Sequence, residues 1–170
     1  MNADCANGAG MRVSVFVSGC LNHCPGCFQP QTWDFDFGHE YTEEMEEEIL
    51  KELSQSYYDG LTLLGGDPME ISNQKGLLNL VKRVKKELPG KNIWVYTGYI
   101  YDQDLLPGGK RYIADVTDEF LDCVDILVDG PFVQEKKRIT LNFRGSDNQR
   151  IIDLPETRKA GQLVLSPLNN

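Results

Sequence analysis

Ser18-Gly19-Cys20-Leu21-Asn22-His23-Cys24-Pro25-Gly26-Cys27-Phe28 is the stretch whose reading decides the fold. It holds three of the chain's five cysteines, in the spacing C-x-x-x-C-x-x-C. The preceding Val13-Ser14-Val15-Phe16-Val17 alternates in polarity and reads as a strand. Gly19, Pro25 and Gly26 break regular structure, which puts the cysteines on a loop at the C-terminal end of that strand. Loops leaving this end of parallel strands are where α/β folds carry their chemistry.

Thiolates so tightly spaced suggest a common bound group. A structural zinc site wants four protein ligands, usually from two separated knuckles. His23 is available as a fourth, but one short loop would then have to wrap the ion. Electron-transfer iron–sulfur clusters also use four cysteines. Cys5 and Cys123 share no spacing with the trio. Three ligands on a four-iron cluster leave one iron open to a small molecule. That is the arrangement of radical S-adenosylmethionine (SAM) enzymes, whose signature this spacing resembles. Zinc remains the competing reading of the pattern.

Working outward, 170 residues suit one domain, 1–170, with a real core. The 41% apolar and 25% charged residues are those of an ordinary soluble chain. No apolar run reaches the roughly 20 residues of a membrane span, and the polar N-terminus is no secretory signal. A cytoplasmic location is expected, where clustered cysteines point to metal rather than disulfides. A net charge of −9 argues against nucleic acid as a partner. The run Lys82, Arg83, Lys85, Lys86 reads as a solvated helix face.

Residues 1–10 read as a flexible lead-in, with Cys5 an incidental thiol. Trp33, Phe35 and Phe37 fall in an ordered loop beside the cysteines. Thr42 caps a helix whose buried stripe is Met45, Ile49 and Leu53, with the glutamates between 43 and 48 in solvent. Leu61-Thr62-Leu63-Leu64 is a short buried strand ending in Gly65-Gly66-Asp67-Pro68. A helix from about residue 72 carries Leu77, Val81, Val84 and Leu88 and stops at Pro89-Gly90. Ile93-Trp94-Val95-Tyr96 is the next strand, 101–115 is irregular, and a short helix covers 117–123 with Cys123 inward. Ile126-Leu127-Val128 is the last clear strand, closed by Asp129-Gly130-Pro131. Residues 134–150 read as loop, and 162–165 as a final strand or tail. Strands alternating with helices imply a mostly parallel sheet, here an open partial (βα) barrel because there are too few units to close.

Four strand ends then share one rim. Glycines at 65 and 66 let backbone approach a ligand closely, leaving carbonyls and the Asp67 carboxylate to accept hydrogen bonds from an ammonium group. By itself G-G-D-P is a turn. One βα unit after the cysteine motif it becomes a candidate binding loop.

The cysteine loop, Gly65-Gly66-Asp67-Pro68, Trp94-Val95-Tyr96-Thr97-Gly98-Tyr99, Val128-Asp129-Gly130 and Arg144-Gly145-Ser146 with Asn148-Gln149 occur in this order. Together, over roughly residues 7 to 154, they resemble the activating proteins of the anaerobic ribonucleoside-triphosphate reductase, short radical-SAM glycyl-radical activases. The chain departs in having Gly8-Ala9-Gly10 where the family often has G-P-G, and residues 155–170 match nothing in it. The resemblance implies a [4Fe-4S] cluster on Cys20, Cys24 and Cys27, with SAM on the fourth iron. It implies Gly26 and Phe28 near the adenine, Gly65, Gly66 and Asp67 on the methionyl ammonium, and Thr97 near ribose or a cation. Asp129 is a candidate for a monovalent cation, as in the related pyruvate formate-lyase activase, and Arg144 for a carboxylate or the partner chain. An electron from a reduced carrier such as flavodoxin would cleave SAM to methionine and a 5′-deoxyadenosyl radical, which takes a hydrogen from a glycine of the large reductase subunit. An activase for pyruvate formate-lyase, or a zinc or electron-transfer module, is the alternative.

Overall fold

The computed structural model describes residues 2–170. One six-stranded sheet runs in chain order, β1 (Asn2–Asp4), β2 (Arg12–Val17), β3 (Gly60–Gly65), β4 (Asn92–Tyr96), β5 (Ile126–Asp129) and β6 (Arg150–Asp153). The four central strands are parallel and the two edge strands antiparallel. The sheet does not close, since β1 and β6 are its two edge strands and do not pair with each other. Among the described residues no helix is long and apolar enough to cross a membrane.

Alternation along the strands divides the sheet into two unlike faces. Val13, Leu61, Leu63, Ile93, Val95, Leu127 and Ile152 point to one face and pack under the helices. These are α1 (Glu43–Leu53), α2 (Ile71–Glu87), α4 (Thr117–Asp122) and α5 (Leu154–Ala160), with a single turn, α3 (Tyr101–Asp104), between β4 and α4. On the other face Phe16, Leu64, Tyr96 and Val128 look into an open cleft. Toward its base Trp94 meets the edge of the Phe143 ring, 5.2 Å between centroids, and the fully buried Arg12 guanidinium on its other side. Arg12 donates to the Leu61 carbonyl, the Thr62 hydroxyl and the Asn92 side chain, which satisfies a charge that burial would otherwise expel. Burial pulls its pKa down to about 10.

Several expectations change. Part of the lead-in is β1, an edge strand on β2, and Gly8 presses on Trp94. The final strand is β6 rather than 162–165, of which Leu165 makes one bridge to Ile152. A four-residue antiparallel strand beside turn residues has too little pattern to be read locally; it exists because β5 offers an unpaired edge. Residues 154–160 also fold, as a helix capped by Asp153, whose carboxylate accepts from the Glu156 N–H.

The buried stripe of α1 is Glu46, Ile49, Leu50 and Leu53, with Met45 exposed. Glu46 was expected in solvent. Instead it accepts from the Tyr41 hydroxyl (3.0 Å), the Asn79 amide (2.6 Å) and Arg83 (3.1 Å), and so ties α1 to α2. Arg83 is likewise no free member of a basic face, since it also pairs with Glu47 and Glu87. Glu46→Ala is expected to cost about 2–3 kcal/mol in a urea melt, because three donors lose a shared acceptor in a largely dry seam. A loss under about 0.5 kcal/mol would put Glu46 among ordinary surface carboxylates.

Candidate cluster and cofactor cleft

Because β2 to β5 are parallel, their C-terminal ends share one rim, and each contributes to a single cleft of about 650 Å³. Cys20, Cys24 and Cys27 line it with Gly65, Gly66, Asp67, Thr97, Gly98 and Gly130. Its size lies within the roughly 300–1,000 Å³ of small-molecule sites. Cys5 and Cys123 do not line it. His23 does not line it; its ring stacks on Trp33 at 4.6 Å.

The glycine pair is a lacing more than a turn. Gly66 N–H donates to the Val17 carbonyl (2.7 Å) and Asp67 N–H to the Gly19 carbonyl (2.8 Å). The Asn73 amide, from the first turn of α2, donates to the Ser18 carbonyl (2.9 Å). Residues 17, 18 and 19, the stem of the cysteine loop, are thereby fastened in turn to the segment after β3. Gly65 has φ +111°, and a Cβ there would lie 2.6 Å from the Val17 nitrogen. A Cβ on Gly66 would lie 2.6 Å from the Gly19 carbonyl oxygen. Only residues without a Cβ allow β3 to run this close to the loop.

Asp67 is buried, and its carboxylate accepts four hydrogen bonds. The donors are Met69 N–H (2.9 Å), the Thr97 hydroxyl (2.8 Å), Gly98 N–H (2.8 Å) and the Asn22 amide (3.2 Å). Four donors use the acceptor positions of both oxygens. The side chain is therefore a knot joining three strand ends, and an incoming ammonium group would find backbone carbonyls more readily than this carboxylate. Burial pushes Asp67 up to about 7 against the donors that favour its anion. Thr97 is committed to the same knot: its hydroxyl donates to Asp67 and accepts from Tyr99 N–H (3.1 Å).

Asp129 departs from expectation too. Its carboxylate is fully buried and pairs with Arg150 through Nε (2.9 Å) and a terminal nitrogen, while also accepting from Tyr101 N–H (2.8 Å). The partner that a buried carboxylate requires is an arginine on the neighbouring strand, and the side chain is not a cleft wall. Arg144 does line the cleft, yet its guanidinium donates to the Gln149 carbonyl (2.8 Å) and to Asn169 and Asn170 in the tail. Gly26 has φ +76° and backs onto Gln134. Phe28 is no core residue: it is 75% exposed at the cleft mouth, under the Lys137 ammonium at 5.4 Å. Two residues that bind the loop were not picked out by motif, Asn22 and Asn73. Each is a short amide, and nothing local marks its partner.

The sulfur donors suit iron. Burial, then the Asp67 charge, push the Cys20 thiol up to about 11, and burial also raises Cys24. Such thiols ionise when a metal supplies the compensating charge. A four-iron cluster gives each of three thiolates its own iron, which suits three cysteines on one loop.

A family model described as "4Fe-4S single cluster domain" matches residues 6–152. The chain is 43% identical over 150 residues to a Vibrio cholerae protein, covering 87% of this chain and 91% of that one. It is 40% identical over 148 residues to an Escherichia coli K12 protein (86% and 90%) and to one from bacteriophage T4 (87% and 87%). All three carry the name anaerobic ribonucleoside-triphosphate reductase-activating protein.

Proposed function

The chain belongs to the family of anaerobic ribonucleoside-triphosphate reductase-activating proteins, with an iron–sulfur cluster as its cofactor, and from that premise we propose how its own residues serve the activation. It is an oxidoreductase that generates a glycyl radical on the large subunit of the anaerobic reductase. Cys20, Cys24 and Cys27 hold a [4Fe-4S] cluster, and the carbonyls about Gly65 and Gly66 receive the amino group of SAM. Gly26 and Phe28 border the adenine. The sheet is the open partial barrel of radical SAM enzymes, and flavodoxin or a similar carrier supplies the electron. When bound, the cluster and SAM together supply the radical that removes a hydrogen atom from the acceptor glycine.

The observation that carries this reading is the single cleft that three cysteines share with the Gly65-Gly66 backbone, while the remaining two cysteines lie outside it. The chain's residues bind, orient and exclude water. The apolar wall of Phe16, Leu64, Tyr96 and Val128 keeps the deep end dry, and no side-chain base is required for a hydrogen-atom transfer. Residues 134–150 form a lip for the reductase. Lys137, Arg138 and Ile139 border the mouth, and Ile139 (94% exposed) faces the partner together with Phe28.

The test mixes the reconstituted protein anaerobically with SAM, a reductant and the reductase large subunit from the same source. A glycyl-radical EPR doublet is expected in that subunit, with 5′-deoxyadenosine formed in step. SAM cleavage without the doublet, and with pyruvate formate-lyase activated instead, would overturn the choice of partner.

A further inference from the structure

Glu70 stands one helical turn beyond Asp67, is 3% exposed, and has no part in the roles assigned above. Its Oε1 accepts from the Leu21 backbone N–H at 2.8 Å and from the Tyr99 hydroxyl. Its Oε2 lies 3.2 Å from Arg111 Nε, and the Arg111 guanidinium covers the Tyr99 ring at 4.5 Å. A charge this deep persists only when partners meet it from every side. Here they come from three separate segments: the cysteine loop, the turn after β4, and the stretch after α3.

The Leu21 contact matters most. Leu21 directly follows Cys20, so a hydrogen bond to its N–H fixes the plane of the Cys20–Leu21 peptide. That plane sets the direction in which the Cys20 side chain leaves the backbone. The bonds to residues 17–19 anchor the loop's stem, but only the Glu70 bond grips the peptide on the far side of Cys20. The Tyr99 hydroxyl, donating to the same Oε1, holds the carboxylate at one height; Arg111 lies 3.2 Å from Oε2 as a charge partner without a hydrogen bond.

We propose that Glu70 is a positioning residue for the iron–sulfur cluster, fixing through the Leu21 N–H the orientation in which Cys20 meets its iron. This rests on the reading of Cys20 as a cluster ligand. It acts by reach, not by charge, and two conservative variants separate these. Glu70→Asp keeps the charge but is one methylene too short to hold Leu21 and Arg111 together. The pair Glu70→Gln with Arg111→Gln keeps the reach and an oxygen acceptor for Leu21, and removes both charges.

Each variant is reconstituted anaerobically without the reductase. The readouts are the rate of iron release to a chelator, the EPR spectrum of the reduced cluster, and the melting temperature of the protein. Glu70→Asp is expected to release iron about tenfold faster, in the range seen for lost outer-shell partners, with a broadened spectrum. The double Gln variant is expected to stay within about threefold of wild type and to keep the wild-type line shape. The reverse order would show that Glu70 acts by charge and would overturn the proposal. So would wild-type release from both variants, or equal impairment of both with lowered melting. Wild-type protein that holds its cluster yet fails to activate the reductase would sink the functional reading alone, and leave this comparison intact.

Discussion

Cys20→Ala, Cys24→Ala and Cys27→Ala are each expected to lose the cluster after anaerobic reconstitution, and with it all activation of the reductase. A tetranuclear cluster on three protein thiolates has no spare ligand, so each removal strips one iron of its only protein bond. The effect should exceed the roughly 10- to 100-fold that outer-shell substitutions cost at metal sites. Cys5→Ala and Cys123→Ala are expected to keep iron, sulfide and the reduced-cluster EPR signal. Cys5 is exposed beside the edge strand, and Cys123 packs against the helix side of the sheet. Iron and sulfide analysis on the five variants decides the matter: a Cys5→Ala protein as empty as Cys24→Ala would break the assignment of three ligands.

Gly66→Val has the second largest expected effect, and the structure changes its nature. Judged from the motif, a side chain here would obstruct SAM and leave iron content near normal. The built contacts point elsewhere first: a Cβ would meet the Gly19 carbonyl at 2.6 Å, the Gly19 nitrogen at 2.9 Å and the Thr32 carbonyl at 2.9 Å. All three are backbone atoms of the cysteine loop and its flank, which move only by displacing the loop. The variant should therefore lose most of its iron as well as its SAM-dependent EPR change. Its stability should fall by about 3 kcal/mol, the upper end for forced overpacking. Gly66→Ala should show the same defects in milder form. A Gly66→Val protein with full iron and an unaltered response to SAM would show that the loop is less tightly laced than its hydrogen bonds imply.

These two results separate what short-range pattern carries from what it does not. The alternation of β2, the helix stripes of α2 and α4, and the order strand–helix–strand are set by near neighbours in the chain, through periods of 2 and 3.6 residues. So is the cysteine spacing, since only six residues separate the outer thiols and keep them on one loop. Parallel pairing then follows from the helical connections, and it delivers Cys20, Gly65, Thr97 and Gly130 to one rim.

Tertiary structure alone decided which polar side chains are spent on holding that rim together. Asp67, Thr97 and Asp129 read as ligand-facing because each sits in a strand-end motif, and Arg144 because of the R-G-S segment it opens. Three of them are instead consumed by partners 21 to 45 residues away: Thr97 by Asp67, Asp67 also by Asn22, and Asp129 by Arg150. Glu70 and Glu46 carried no motif at all, and each proves to be a buried acceptor joining separate segments. The physical reason is the same in every case. A carboxylate's role depends on whether donors surround it, and those donors arrive from parts of the chain that only the folded sheet brings within 3 Å. Sequence by itself determined the four parallel strands, the helices between them and the three thiols of the cleft; the fold added the two edge strands and α5, and determined which of the acids around the cleft bind the protein to itself.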